Sequence, residues 1–168
     1  MRKKTAFLGM FVALALIASY VESLIPVYFG APGIKLGLAN LVTVVVLYRC
    51  GWKDAAFVSV LRILLAGFLF GNVFSILYSL AGGILSFLVM CFLKRRKSFS
   101  ILGVSIAGGV SHNLGQIGAA VILMENGRII FYFPALMVSG ILTGLLIGIG
   151  SREVLKRIPD LYSQTGID

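Results

Sequence analysis

The sequence predicts an all-α membrane protein: a single integral membrane domain over residues 1–168, with six transmembrane helices, an N-in/C-in arrangement and a location in the cell membrane. Three observations carry this reading. Apolar residues make up 59% of the chain and charged residues 12%, against about 45–50% and about 25% in soluble domains. Long uncharged runs are bounded by basic clusters, as in membrane spans. No ten-residue alternating pattern recurs, so a barrel is excluded and helices must satisfy the backbone inside hydrocarbon.

The apolar runs place helices at about 5–25, 36–49, 54–70, 73–93, 99–124 and 133–150. The first follows Met1-Arg2-Lys3-Lys4 and exceeds the h-region of a signal peptide, so it is read as a retained helix. The loop after it, residues 26–35, holds Pro26, Gly30, Pro32 and Gly33. These residues oppose a regular helix, and suit either a shaped cap over the bundle or an interfacial loop anchored by Tyr28 and Phe29. The second, third and sixth runs are short for a bilayer core of about 30 Å. Asn126-Gly127 signals a turn before the aromatic run Phe131-Tyr132-Phe133. Cys50 and Cys91 each end an apolar run beside basic residues and have no metal-ligand spacing; no metal or cofactor is expected.

Orientation follows from counting charges. Arg2, Lys3, Lys4, Arg49, Lys53, Lys94, Arg95, Arg96, Lys97, Arg152, Lys156 and Arg157 fall on one side, and Lys35 and Arg128 on the other. Twelve against two makes the first side cytoplasmic. The net charge of +9 therefore faces anionic lipid head groups and forms no nucleic-acid surface.

Polar residues within the spans cost free energy, and each needs a partner, a cavity or a ligand. At about 1.5 Å per residue, His112, Asn113 and Gln116 fall in the outer third of the fifth helix, level with Glu22, Asn40 and Asn72. His112 and Gln116 share a face at spacing i, i+4. This layer predicts an outward-facing solute pocket; simple interhelical hydrogen bonding is the alternative. Arg62 stands alone in mid-helix. It either pairs internally with Glu22, binds an anionic solute or snorkels; with Lys35 it favours an anion or polar ring as ligand.

Small residues recur at four-residue spacing: Gly140, Gly144 and Gly148; Ser75, Ser79 and Gly83; Gly9 with Ala13 and Ala15 with Ser19. Such stripes serve internal packing or docking to a separate membrane partner. Missing motifs narrow the function further. The chain has no Gly-rich phosphate loop ending in Gly-Lys-Ser/Thr, and its six acidic residues form no aspartate-rich cluster for metal and diphosphate. No enzyme is expected.

The segments Lys35-Leu36-Gly37-Leu38-Ala39-Asn40, Tyr78-Ser79-Leu80-Ala81-Gly82-Gly83, Ser111-His112-Asn113-Leu114-Gly115-Gln116 and Phe133-Pro134-Ala135-Leu136 resemble the heptaprenyl diphosphate synthase component I family. It is also described as the Gx transporter family. That resemblance implies a noncatalytic part in making the isoprenoid side chain of menaquinone. The six-helix layout is also similar to the substrate-binding S components of energy-coupling-factor transporters. This second resemblance implies a small-molecule solute bound under the first loop. It also implies a transmembrane coupling subunit, contacted through Gly9, Ala13 and Ala15, and an ATPase. The expected function is thus the solute-binding membrane subunit of a transporter; the alternatives are the biosynthetic component and a structural membrane subunit.

Overall fold

The protein is described by a computed structural model over residues 2–24, 37–96 and 98–158, with side chains from Lys4 onward. Six α-helices follow in order: α1 Arg2–Leu24, α2 Leu38–Arg49, α3 Trp52–Phe70, α4 Val73–Arg95, α5 Ile101–Leu123 and α6 Phe133–Arg157. A 3-10 helix, Gly127–Tyr132, leads into α6, and no strand occurs among the described residues. The expected loop 26–35, with Lys35, lies outside the described residues.

Four helices are long and apolar enough to cross a membrane: Lys4–Leu24, Val73–Arg95, Ile101–Leu123 and Gly127–Arg157. The other two differ from the sequence expectation for separate reasons. The 12 residues of α2 reach only about 18 Å, and α3 includes Lys53, Asp54 and Arg62. Large apolar side chains such as Phe57, Phe68, Leu88, Ile122, Leu142 and Leu146 stand on the bundle's outer surface. Exposure on that scale belongs to a membrane protein, whose surroundings are themselves apolar.

Helix contacts close a ring in the order α1, α2, α6, α5, α4, α3, and α2 also touches α3. The short α2 is accordingly the most enclosed helix. Its consecutive residues Thr43, Val44, Val45, Val46 and Leu47 are all buried, the pattern of a helix apolar on every side. Val44, Val45, Val46 and Leu47 join Phe11, Val12, Ala55, Val58, Met90 and Val104 in the core.

One of the small-residue stripes resolves into a specific helix contact. A Cβ on Gly144 would lie 2.7 Å from Ile106 Cα, and one on Gly109 would lie 2.4 Å from Gly140 O. The Gly140, Gly144 and Gly148 stripe therefore seats α6 on the backbone of α5. On α1 the expectation divides. Gly9 and Ala13 face outward, whereas Ala15 is fully buried in the core. Two residues at i and i+2 point about 200° apart on a helix, so Ala15 cannot share an outward partner face with Ala13.

The basic end of the bundle is tied by cations that reach carbonyls on neighbouring helices. Arg49 Nη2 donates to Leu155 O and, at 2.6 Å, to Ile158 O; Lys94 Nζ donates to Leu47 O. Both interactions satisfy carbonyls left open at helix C-termini. Lys4 pairs with Asp54 at 3.1 Å, joining α1 to α3. Cys50 lies in the turn after α2, where burial and then the Asp54 carboxylate push its thiol up to about 11. It remains a protonated, weakly nucleophilic thiol at neutral pH. The helix α6 runs to Arg157 instead of stopping near residue 150, since Glu153 pairs with Lys156 and Arg157 at i+3 and i+4. Pairs of this kind, and basic residues in the last turn, favour helix continuation.

The glycine contacts give a direct test. Gly144→Leu should force α5 and α6 apart and destabilise the bundle by about 1–3 kcal/mol. Gly9→Leu, whose Cβ meets nothing within 4 Å, should stay within about 0.5 kcal/mol. Thermal unfolding in detergent distinguishes the two.

Candidate functional site

A cavity of about 140 Å³ lies within the bundle, and every one of the six helices contributes to its wall. Ser19, Glu22 and Ser23 come from α1, and Asn40 from α2. From α3 come Arg62 and Phe70. Ser75 and Ser79 belong to α4, His112, Asn113 and Gln116 to α5, and Thr143 to α6. Glu22, Asn40, Phe70 and Ser75 sit near helix ends that lie opposite the Lys4, Arg49 and Lys94 end. The cavity therefore occupies the half of the bundle away from the basic cluster.

Local sequence explains how these groups arrive. Gly37, before α2, has φ +74°, a conformation that favours glycine; a Cβ there would lie 2.8 Å from Ile147 Cδ1. Its N–H donates to Glu22 Oε1, fixing the end of α1 to the start of α2. On the other side, a Cβ on Gly82 would lie 2.7 Å from His112 O and 2.8 Å from Gln116 Cγ. The missing side chain lets α4 press against α5 at the level of the two polar residues.

Hydrogen bonding divides the wall by character. Arg62 Nη2 donates to Asn40 Oδ1 at 2.8 Å, while the buried Arg62 Nε has no partner among the described residues. Glu22 acts on Arg62 through space. Asn113 Nδ2 donates to Leu136 O at 2.6 Å, tying α5 to α6. The hydroxyls of Ser19, Ser23 and Thr143 donate back into their own helices, to Ala15 O at 2.9 Å, Tyr20 O at 2.7 Å and Ser139 O at 2.9 Å. Toward the cavity they offer acceptor lone pairs.

The structure thus brings together Glu22, Asn40, Arg62, His112, Asn113 and Gln116 from the sequence-predicted set. Asn72 is not on the cavity wall. It is the N-cap of α4, its side chain accepting from Ser75 N at 2.8 Å, a role set by its position directly before a helix. Lys35 lies outside the described residues. Sequence reading missed Ser19, Ser23 and Thr143 as wall residues, because a serine or threonine in an apolar helix normally back-bonds and gives no outward signal. Ser19 stands one turn from Glu22, which was the available clue. Among the described residues no three His, Cys, Asp or Glu side chains gather into a metal-binding group.

The family model described as heptaprenyl diphosphate synthase component I matches residues 11–154. The chain belongs to this family. No curated protein and no solved structure matches the chain. The heptaprenyl diphosphate synthase component I match covers every helix residue of the cavity wall, from Ser19 to Ile147, and leaves out Gly9. Within this family member, then, cavity and family signature occupy the same stretch of chain.

The two asparagines with opposite roles can be told apart. Asn72→Ala should cost about 1 kcal/mol of stability through the lost cap and leave the cavity intact. Asn40→Ala should release Arg62, seen as increased mobility of a spin label or fluorophore placed at the cavity rim. Unfolding midpoints and label mobility, measured on both variants, check the assignment.

Proposed function

We propose that this family member is the solute-binding membrane subunit of a transporter. In this reading the chain is a single domain over 1–168 that crosses the membrane six times with both termini in the cytoplasm. The cavity faces outward, it binds a small solute, and partner subunits, a transmembrane coupling protein and an ATPase, energise movement. The observation that carries the reading is the polar cavity to which all six helices contribute. A bundle that needed only internal glue would bury its polar side chains against one another at about 0.6 kcal/mol per contact, without keeping an open chamber. Gly9 and Ala13, on the outward side of α1, are the residues we assign to the coupling contact.

A second reading is favoured by the family's description: a noncatalytic membrane component of heptaprenyl diphosphate formation. The chamber weighs against a prenyl ligand. At about 140 Å³ it compares with cavities of about 150 Å³ that hold one benzene, far below a heptaprenyl chain. Neither reading assigns catalysis to this chain, which carries no phosphate loop and no aspartate-rich cluster.

Topology is tested by single-cysteine labelling in a Cys50/Cys91-free background. An impermeant reagent added outside should reach Lys35→Cys and Arg128→Cys and spare Lys53→Cys and Arg96→Cys; the reverse pattern would sink the orientation. Function is tested in liposomes. The purified chain should bind solute without accumulating it, and His112→Ala or Gln116→Ala should weaken binding by about 1–3 kcal/mol. Uphill uptake with ATP and no added subunit, or condensation of isoprenoid diphosphates by the chain alone, would overturn the proposal.

A further inference from the structure

The cavity wall is divided chemically, and the division bears on what it holds. A guanidinium has five N–H donors and no acceptor. Arg62, half-buried in the wall of the bundle, uses one nitrogen on Asn40, leaves its buried Nε without a hydrogen bond and forms no ion pair among the described residues. A half-buried cation with a buried spare donor bordering a chamber calls for an anionic acceptor, and a planar carboxylate matches the guanidinium edge. Contrast the end of α1. Glu22 brings a carboxylate, whose Oε1 also accepts from Gly37 N, and Ser19 and Ser23 have committed their O–H groups to Ala15 O and Tyr20 O, so this edge offers acceptors to the chamber. An acceptor-rich edge calls for a ligand donor, and beside a carboxylate an ammonium is the strongest one.

These two edges face one chamber, and Glu22 and Arg62 are its charged groups among the described residues. Among the described residues these two wall groups balance in charge. A dianion such as a phosphate would load the site with uncompensated charge in a low-dielectric interior. A ligand with one carboxylate and one ammonium keeps that balance and answers both edges. Volume limits the rest: a chamber of about 140 Å³ suits about six to ten heavy atoms, judged against benzene in about 150 Å³.

Resting on the solute-binding reading above, we propose that the ligand is a small zwitterionic amino carboxylate. Its carboxylate lies on the Arg62 Nε edge, and its ammonium is received by the α1 edge of Glu22, Ser19 and Ser23.

The test uses the full chain in lipid nanodiscs. Thermal unfolding is measured with each of the twenty proteinogenic amino acids supplied singly, alongside native mass spectrometry of protein extracted gently from its own membrane. At least one small zwitterion should raise the unfolding midpoint by about 5 °C when saturating, or be retained in the mass spectrum. Its carboxamide and its des-amino acid should each bind at least about tenfold more weakly, a comparison made on the unaltered protein. Arg62→Gln should lose the carboxylate preference; Ser19→Ala, which keeps Arg62, should weaken the zwitterion while leaving the des-amino acid unchanged. A bound or retained molecule without a carboxylate, or an amide that binds as well as the acid, would overturn the ligand class while leaving the solute-binding reading intact. Absence of any stabilising or retained small molecule would overturn both.

Discussion

Backbone-to-backbone contact between helices is the constraint on which the rest of this structure depends. In a membrane no hydrophobic drive pulls helices together, and close approach must be earned by packing. Here α4, α5 and α6 touch through Gly82 and Gly115, and through Gly109, Gly140 and Gly144, positions where a single added carbon would lie within 3.0 Å of a neighbouring helix. The polar site inherits its geometry from these contacts. His112 and Gln116 lie against Gly82, so their side chains are held at one level of the chamber by a residue that has none.

The cations of this chain fall into two groups with different consequences. Arg49 and Lys94 direct their donors to carbonyls at the ends of α6 and α2, which locks the basic end and completes helix termini that hydrocarbon would leave unsatisfied. Arg62 differs. It stands in the interior of α3, about two turns before Phe70, and donates to a side-chain amide oxygen, Asn40 Oδ1, where Arg49 and Lys94 donate to main-chain carbonyls. The same residue type therefore acts as a structural tie at one end and borders an open chamber at the other. Depth along the helix, more than chemistry, separates the two roles.

Much of the architecture was legible in the sequence because apolar runs and basic punctuation report directly on helices. The start of α4 at Val73 and the Asn126-Gly127 turn, where Asn126 Oδ1 accepts from Arg128 N at 3.0 Å, follow from local chemistry alone. Convergence of Glu22, Asn40, His112, Asn113 and Gln116 on one cavity was legible from depth, since residues at one level of a narrow bundle have few places to go; Arg62, expected in mid-helix and apart from that layer, joins the same wall. What depth cannot supply is azimuth. Asn72 has the right level but precedes a helix and turns into its cap, and Ala15 faces inward while Ala13 faces out. The reach of α6 to Arg157 was hidden for another reason: apolarity ends near residue 150, but helical pairing by Glu153 does not.

The position of the chamber follows from unequal helix lengths. At about 1.5 Å per residue, α2 with 12 residues is roughly half as long as α4 and α5 with 23 each, yet it is the helix the others enclose. Its C-terminal end is fixed at the basic side, where Cys50 and Gly51 turn directly into α3 and Lys94 caps Leu47. All of the shortfall therefore lands at the other end, beyond Gly37. Among the described residues, the surrounding helices continue there past the start of α2, and the volume they bound is lined by polar residues of six helices. A longer, wholly apolar α2 would have filled that space with core. The short helix and the polar layer are thus one feature, since groups such as Arg62 and Glu22 are tolerable inside the bundle only where packing has left a chamber for them to face.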